Sequence, residues 1–455
     1  MKIFLISSNI ATTPYPIYPL GLSMVAAALR NAGYKIYQFD FLQSDSSLKI
    51  LRDEIKKVNP NIVGVSIRNI DNVNLLSEQR YIDNVKSIVQ EIKKETSAPV
   101  VLGGSGFSIM PEAILHEVGA DYGIVGEGES LMVDFVNNAV RGVYPSERCV
   151  RISQRMRGEE IPSAYYNSRL MEFYQKNGNV VPVQTKRGCA HRCVYCSYPL
   201  LEGSTIRYRN PHSVVDDIQM LVNTYNAQYI FFTDSVFNDD QQHYLDVIQE
   251  MKERSVCVSW TGFFKPEGLD DDNVELMKHT GLRAAEIGSD ATTDTTMKKL
   301  GKTFLFNDVI TCNDLFNRHG IATAHYFMFG CPGETQETVL KGIENVKNLR
   351  KTVSFIFMGI RILPGTALAE RAQREGFISD NWELLEPVYY ISPSVDKQWL
   401  KKTLIDAFSG VRHCVFPPDS LDSSLRFLHK LGYSGTLWDM LIPENKNRQR
   451  RHAAH

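Results

Sequence analysis

Cysteine is scarce. Eight thiols among 455 residues cannot staple a fold of this size, so a disulfide scaffold is excluded. Long apolar runs are missing too. No stretch reaches the roughly 18 residues a membrane-crossing helix needs, so no transmembrane segment is expected. Neither sign of charge dominates: 50 Lys and Arg stand against 52 Asp and Glu, a net charge of −2. That balance gives no electrostatic case for a nucleic-acid partner. The opening MKIFLISSN has one Lys, a short strand-like run and no small-residue cleavage site. It does not read as a signal peptide, and a cytoplasmic location is expected. Internal repeats and low-complexity segments are absent as well. What is present is ordinary globular material, 43% hydrophobic and 22% charged, enough to bury real cores. At roughly 150 residues per domain the length predicts about three domains.

Over residues 1–141 strand and helix alternate. Apolar or β-branched runs at 2–8, 34–40, 62–67, 99–102 and 122–125 are separated by helical patterns such as 20–30 and 81–94. Five such units predict an α/β, doubly wound, Rossmann-like sheet. Residues 142–179, rich in Arg, Tyr and Pro, read as a linker. A second series of strands is expected at 180–185, 229–233, 256–263, 283–288, 322–329 and 355–362. Six βα units predict a partial (β/α)6 barrel over residues 180–370, with its chemistry at the C-terminal strand ends. Residues 371–455 read as a mostly helical region. It closes in a basic tail, Lys446 to Arg451, either simply solvated or in contact with an acidic membrane surface.

The strongest chemical signal is the loop Gly188-Cys189-Ala190-His191-Arg192-Cys193-Val194-Tyr195-Cys196. Thiolates are the usual ligands of iron–sulfur clusters. Three of them would leave one iron of a four-iron cluster open. A structural zinc ion normally takes four ligands. His191 is available as the fourth, but from inside the loop its tetrahedral geometry is poor.

CxxxCxxC with an aromatic residue just before the third Cys resembles the radical S-adenosylmethionine superfamily, over about residues 180–370. The resemblance implies that Cys189, Cys193 and Cys196 hold a [4Fe-4S] cluster whose open iron chelates S-adenosylmethionine. One electron would then cleave a C–S bond and release a 5′-deoxyadenosyl radical. Tyr195 would sit against the adenine, or else serve as a packing aromatic. Asp234, ending Phe231-Phe232-Thr233-Asp234, would face the cluster side, or cap a helix. Glu286, Ser289 and Asp290 resemble the family's segment that contacts the ribose and methionyl part, although Asp290 stands where the family has a longer Glu. Gly330-Cys331-Pro332-Gly333-Glu334-Thr335 resembles a family turn in which Glu334 is structural. Two residues near the fifth and sixth strand ends are catalytic candidates. Cys331 would donate hydrogen or touch cobalt, or be an inert buried thiol. Arg361 would pair with a substrate or cofactor carboxylate, or make an interstrand salt bridge. Tyr389-Tyr390 would line a substrate entrance or pack in a core.

The strand ends of the first domain carry glycines and small polar residues, which let backbone approach a bulky ligand. No GxGxxG follows the first strand, so a dinucleotide site is not expected. The arrangement is similar to the cobalamin-binding class of radical S-adenosylmethionine enzymes and extends the resemblance to about residues 1–370. It implies cobalamin contacts from Pro14, Tyr15 and Leu20 on the Pro-rich loop, Ser66, Arg68 and Asn69, Gly103, Gly104 and Ser105, and Gly126, Glu127 and Glu129. The Asp-x-His-x-x-Gly loop of cobalamin mutases is absent, so no His from that motif would lie beneath cobalt.

The resulting expectation is a C-methyltransferase using a [4Fe-4S] cluster, S-adenosylmethionine and cobalamin on an unactivated carbon of a small-molecule or lipid-like substrate. Flavodoxin or ferredoxin would supply electrons. The alternative is a non-methylating cyclase, ring-contraction or other rearrangement enzyme with the same cofactors. A third reading is a corrinoid or redox sensor without turnover. A methylthiotransferase is disfavoured, because the first domain lacks three clustered Cys for a second cluster.

Overall fold

The computed structural model describes residues 1–382 and 384–442. Its first sheet contains β1 (Lys2–Ser7), β2 (Lys35–Asp40), β3 (Ile62–Ser66), β4 (Val100–Gly103), β5 (Tyr122–Val125) and β6 (Cys149–Arg151). They run parallel in the order β2-β1-β3-β4-β5-β6. Strand side chains alternate between faces. Phe4 and Ile6 therefore enter one buried core while Ile3 and Leu5 enter the other. Helices cover both faces, which explains why these strands read as continuous apolar runs. The chain leaves β1 toward β2 on one side and returns to β3 on the other, so a topological switch point lies between β1 and β3.

Residues 142–179 are not simply a linker. They supply β6 to the first sheet and the helix Ser168–Lys176. Leu170, Met171 and Tyr174 of that helix join the core of the second domain. The segment is committed to both domains.

The second sheet begins with β7 (Val180–Val183), after which β8 (Lys186–Arg187) and β9 (Arg207–Tyr208) form a small antiparallel pair. It continues through β10 (Tyr229–Phe232), β11 (Ser259–Phe264), β12 (Ala284–Asp290), β13 (Ala322–Phe329) and β14 (Thr352–Met358). The expected sixth strand breaks at Gly359, whose φ is +75. Beyond that break the chain forms β15 (Ile360–Arg361), paired antiparallel with β16 (Tyr389–Tyr390). A seventh parallel strand, β17 (Cys414–Val415), lies beside β14, so the order is β17-β14-β13-β12-β11-β10-β7. The six parallel strands expected of the partial barrel all form, β17 adds a short seventh at the β14 edge, and the mostly helical C-terminal region also supplies strands. That region also places Trp438 among Ala284, Ala322 and Val353, near the N-terminal ends of the strands. The basic tail Lys446 to Arg451 lies outside the described residues.

Candidate functional site

The three thiols share the loop after β8, and all are free of disulfides. Three anchors hold the loop. Gly188 has φ +98, and a Cβ there would stand 2.3 Å from Thr205 O; only glycine fits such a position. Its N–H donates to Glu202 Oε2 at 3.1 Å. Val194 N–H donates to Leu300 O at 3.0 Å, and Leu368 N–H donates to Val194 O at 2.8 Å. Burial lifts Cys189 above the usual thiol range and Cys196 to about 12, and each thiol also feels the charge of its neighbours. Left bare, such thiols stay protonated; a metal would deprotonate them. Among the described residues no three His, Cys, Asp or Glu side chains are grouped for a single metal ion. A four-iron cube is held at three separate corners, so its ligands stand farther apart than those around one ion. The donor set of three thiols on one preformed loop fits such a cube.

Around this loop the structure both gathers and disperses the expected residues. Tyr195 Oη donates to Asp290 Oδ2 at 2.6 Å, and Lys302, unforeseen from the sequence, ion-pairs with the same carboxylate. Asp234 is engaged internally. It accepts from Thr185 N at 2.8 Å, Thr185 Oγ1 at 2.5 Å and Lys186 N at 3.3 Å. It braces β10 to the start of the cluster loop and is neither a free cofactor ligand nor a helix cap. Glu286 is buried in the barrel interior, where Tyr326 Oη donates at 2.7 Å and Trp438 Nε1 at 3.3 Å. Burial raises its pKa. Ser289 faces the opposite side of the sheet and lies 2.8 Å from His325 Nδ1. His325 in turn meets Asn313 Oδ1, and burial holds its pKa down to about 3.

Both catalytic candidates are used elsewhere. Cys331 is fully buried in an apolar cluster and donates to Met328 O at 3.1 Å, so it is an inert packing thiol. Arg361 Nε donates to Asp71 Oδ2 at 2.9 Å, with both side chains buried. Its charge fastens the two domains together across β15. Tyr389 and Tyr390 are core residues, and Tyr390 Oη donates to Glu375 at 2.6 Å.

The glycine and acidic loops of the first domain divide in the same way. Glu127 pairs with Arg207 and also accepts from Met156 N at 2.9 Å. Glu129 pairs with Arg187 at 2.5 Å. These carboxylates dock the first domain onto β8 and β9, beside the cluster loop, and are not available to a cofactor. Gly126 has φ +89. Gly104 has φ +97, and a Cβ there would stand 2.5 Å from Ile67 O. It serves the close approach of its own chain. Gly103 is half-buried at the end of β4. On the Pro-rich loop Pro14 is exposed. Tyr15 packs with Val180, Tyr229 and Phe231 inside the barrel, and Leu20 packs against the barrel's core.

Ser66, Arg68, Asn69 and Ser105 remain at the β3 and β4 strand ends. Ser105 Oγ donates to Arg68 O at 2.9 Å. Arg68 retains accessible surface, yet desolvation by surrounding protein lowers its guanidinium pKa. Among the described residues it makes no ion pair, and the groups that influence it are Tyr198, Tyr15, Tyr174 and Tyr81. Tyr198, two residues beyond Cys196, shows the same combination. It is 43% exposed, while desolvation, helped by Glu202 and Cys196, pushes its phenol up to about 12. Arg68 from the first domain and Tyr198 from the second lie near enough for their charges to interact. An unpaired cation among Ser66, Asn69 and Ser105, at the switch-point side of the sheet, fits the polar side groups of a corrinoid.

Residues 6–136 match the B12 binding domain model, and residues 183–360 match the Radical SAM superfamily model. The fold and site thus define an enzyme of two cofactor domains. The chain joins a B12 binding domain to a Radical SAM domain, the pairing expected of the cobalamin-binding class of the radical S-adenosylmethionine superfamily. It is similar to the tryptophan 2-C-methyltransferase of Streptomyces laurentii, at 26% identity over 78% of this chain and 72% of that one. It is also similar to the cytidylyl-2-hydroxyethylphosphonate methyltransferase of Streptomyces wedmorensis, at 23% identity over 83% and 82%. Among solved structures, the radical S-adenosylmethionine methyltransferase TsrM from Kitasatospora setae, with cobalamin and a [4Fe-4S] cluster bound, superposes with a TM-score of 0.84. Identity is 24%, and 97% of each chain is covered. The cobalamin-dependent radical enzyme OxsB follows the same fold at a TM-score of 0.71 and 14% identity, over 94% of this chain and 72% of that one.

Proposed function

We propose that the protein is a cobalamin-dependent radical S-adenosylmethionine C-methyltransferase acting on an unactivated carbon of a small molecule. The observation that carries this reading is that the strand ends of the first domain meet the cluster loop. The helix Ser105–Ile109 after β4 contacts the helix Tyr198–Glu202 that follows Cys196, and Arg68, just beyond β3, lies near Tyr198. Methyl transfer to a carbon radical requires both cofactors at one substrate. When bound, the cluster, S-adenosylmethionine and cobalamin would supply the radical that takes a hydrogen atom and the methyl group that replaces it. The chain's own residues would do the positioning. Cys189, Cys193 and Cys196 would hold the cluster, with Tyr195 and Asp290 beside S-adenosylmethionine. Ser66, Arg68, Asn69, Gly103 and Ser105 would border the corrinoid. Arg187–Glu129, Arg207–Glu127 and Arg361–Asp71 would keep the two domains in register. A flavodoxin or ferredoxin would deliver the electron in the cytoplasm. A lipid-like substrate is compatible with this reading; among the described residues no helix is long and apolar enough to cross a membrane.

The test is the mass of the product. Anaerobic, cobalamin-loaded protein is given S-adenosylmethionine with a trideuterated methyl group and a panel of carboxylate-bearing aromatic and lipid-like compounds. A product carrying the trideuteromethyl group, formed together with 5′-deoxyadenosine, is expected. A product of unchanged mass would establish rearrangement instead.

A further inference from the structure

Lys302 belongs to no motif seen in the sequence, yet several contacts hold it against the cluster loop. It follows Gly301, whose φ is +76 and whose Cβ, if present, would stand 2.7 Å from Arg192 O. Together with the bond from Val194 N to Leu300 O at 3.0 Å, this fastens the 300–302 turn to the thiol loop. The ammonium, on a side chain only 8% exposed, donates to Tyr195 Oη at 3.4 Å, two residues from Cys193, and its charge is felt at the Cys193 thiol. From its other side it is met by Asp290. Asp290 is itself delivered by a register shift in β12 and sits at a left-handed φ of 59. Bulges and left-handed backbone at a non-glycine residue carry a cost that recurs at functional sites. A buried ion pair alone is weak evidence for stability, so stability does not explain the arrangement.

We propose that Lys302 tunes the reduction potential of the iron–sulfur cluster: its positive charge, held against the cluster loop, stabilises the added electron, and Asp290 holds it in place as counter-charge. This rests on the cluster assignment above. The electron, supplied by an external one-electron donor, spreads onto the ligand sulfurs. A positive charge fixed beside those sulfurs therefore favours the reduced state. Removing Lys302 makes reduction harder. Removing the carboxylate's negative charge makes it easier.

The experiment is a potentiometric titration of cluster-loaded protein without S-adenosylmethionine, followed by electron paramagnetic resonance of the reduced cluster. Lys302→Met should keep about four irons per chain and lower the reduction equilibrium at least tenfold, about 59 mV for one electron. Asp290→Asn should shift the midpoint the opposite way, and Lys302→Arg should restore most of the native value. Unchanged midpoints in Lys302→Met and Asp290→Asn at full iron content would overturn the proposal. If Lys302→Met fails to retain iron, Asp290→Asn decides, and the absence of a positive shift overturns it. A native protein with no cluster signal refutes the cluster assignment instead.

Discussion

At the scale of the residue, the site separates groups that meet cofactors from groups that only resemble them. The thiols are in the first class. Replacing Cys189, Cys193 and Cys196 together by Ala should abolish the brown colour and the roughly four irons per chain expected of one cluster; iron and absorption retained in that variant would falsify the assignment. Glu334 is in the second class. It accepts from Gly330 N and Cys331 N on one oxygen, and burial pushes its pKa up to about 7. The folded state keeps this proton between the ordinary carboxylate range and about pH 7, while the unfolded chain has lost it. Its contribution to stability therefore falls as pH rises through that window. Glu334→Gln should flatten the stability profile between pH 5 and 7, by about 2 kcal/mol, measured by chemical denaturation. The thiol spacing and Tyr195 are readable because they sit within one short motif. Ser289 does not belong with Glu286, and a simple signal says so: it differs from it in parity, so it points to the other face of β12. Asp234, Arg361, Glu127 and Glu129 depart from their expected roles for another reason. Their partners Thr185, Asp71, Arg207 and Arg187 lie far away in sequence, and nothing local marks a pairing.

At the scale of the element, two glycine contacts shape the cluster loop. Gly301→Ala would push a methyl into Arg192 O and strain a left-handed backbone, at a cost of about 1 kcal/mol or more. The expected outcome is loss of iron with the far-ultraviolet spectrum intact; full iron loading would show that the loop is not held through this contact. The alternation of strands and helices in both sheets is readable because parallel strands are apolar runs separated by helical periodicity. The helix Ser168–Lys176 is hidden by its Arg- and Tyr-rich surroundings, though Leu170, Met171 and Tyr174 carry helical spacing toward a core. β6 and β17 are three and two residues long, too short to leave a pattern.

At the scale of the whole molecule, buried ion pairs join the apolar contacts of Tyr15, Tyr18 and Leu20 in fastening the first domain to the barrel. Arg187 and Glu129 are both buried. Truncating Arg187 to Ala leaves an uncompensated carboxylate, and breaking a pair of this kind costs about 3–5 kcal/mol. Arg187→Ala should therefore weaken cobalamin retention as well as stability, whereas an exposed pair such as Lys176–Glu172 should tolerate the same truncation. The missing Asp-x-His-x-x-Gly loop predicts a corrinoid with no imidazole from that motif beneath the metal. Electron paramagnetic resonance of the cob(II)alamin state should lack nitrogen splitting from a lower ligand; clear splitting would overturn that expectation. Two cofactor domains are foreseeable from motif and rhythm. How they interlock is not, since that depends on pairs such as Arg361 with Asp71, 290 positions apart.

The seventh strand has a consequence for how the protein is made. β14 ends at Met358, but its neighbour β17 begins only at Cys414. During synthesis the growing sheet must wait more than fifty residues with an open, apolar edge, the kind of edge that pairs with other chains. Ribosome stalling or early termination in that interval should release a sticky fragment. A chain ended at Gly410 should accumulate in inclusion bodies, and a chaperone that shields strand edges should raise the yield of full-length protein.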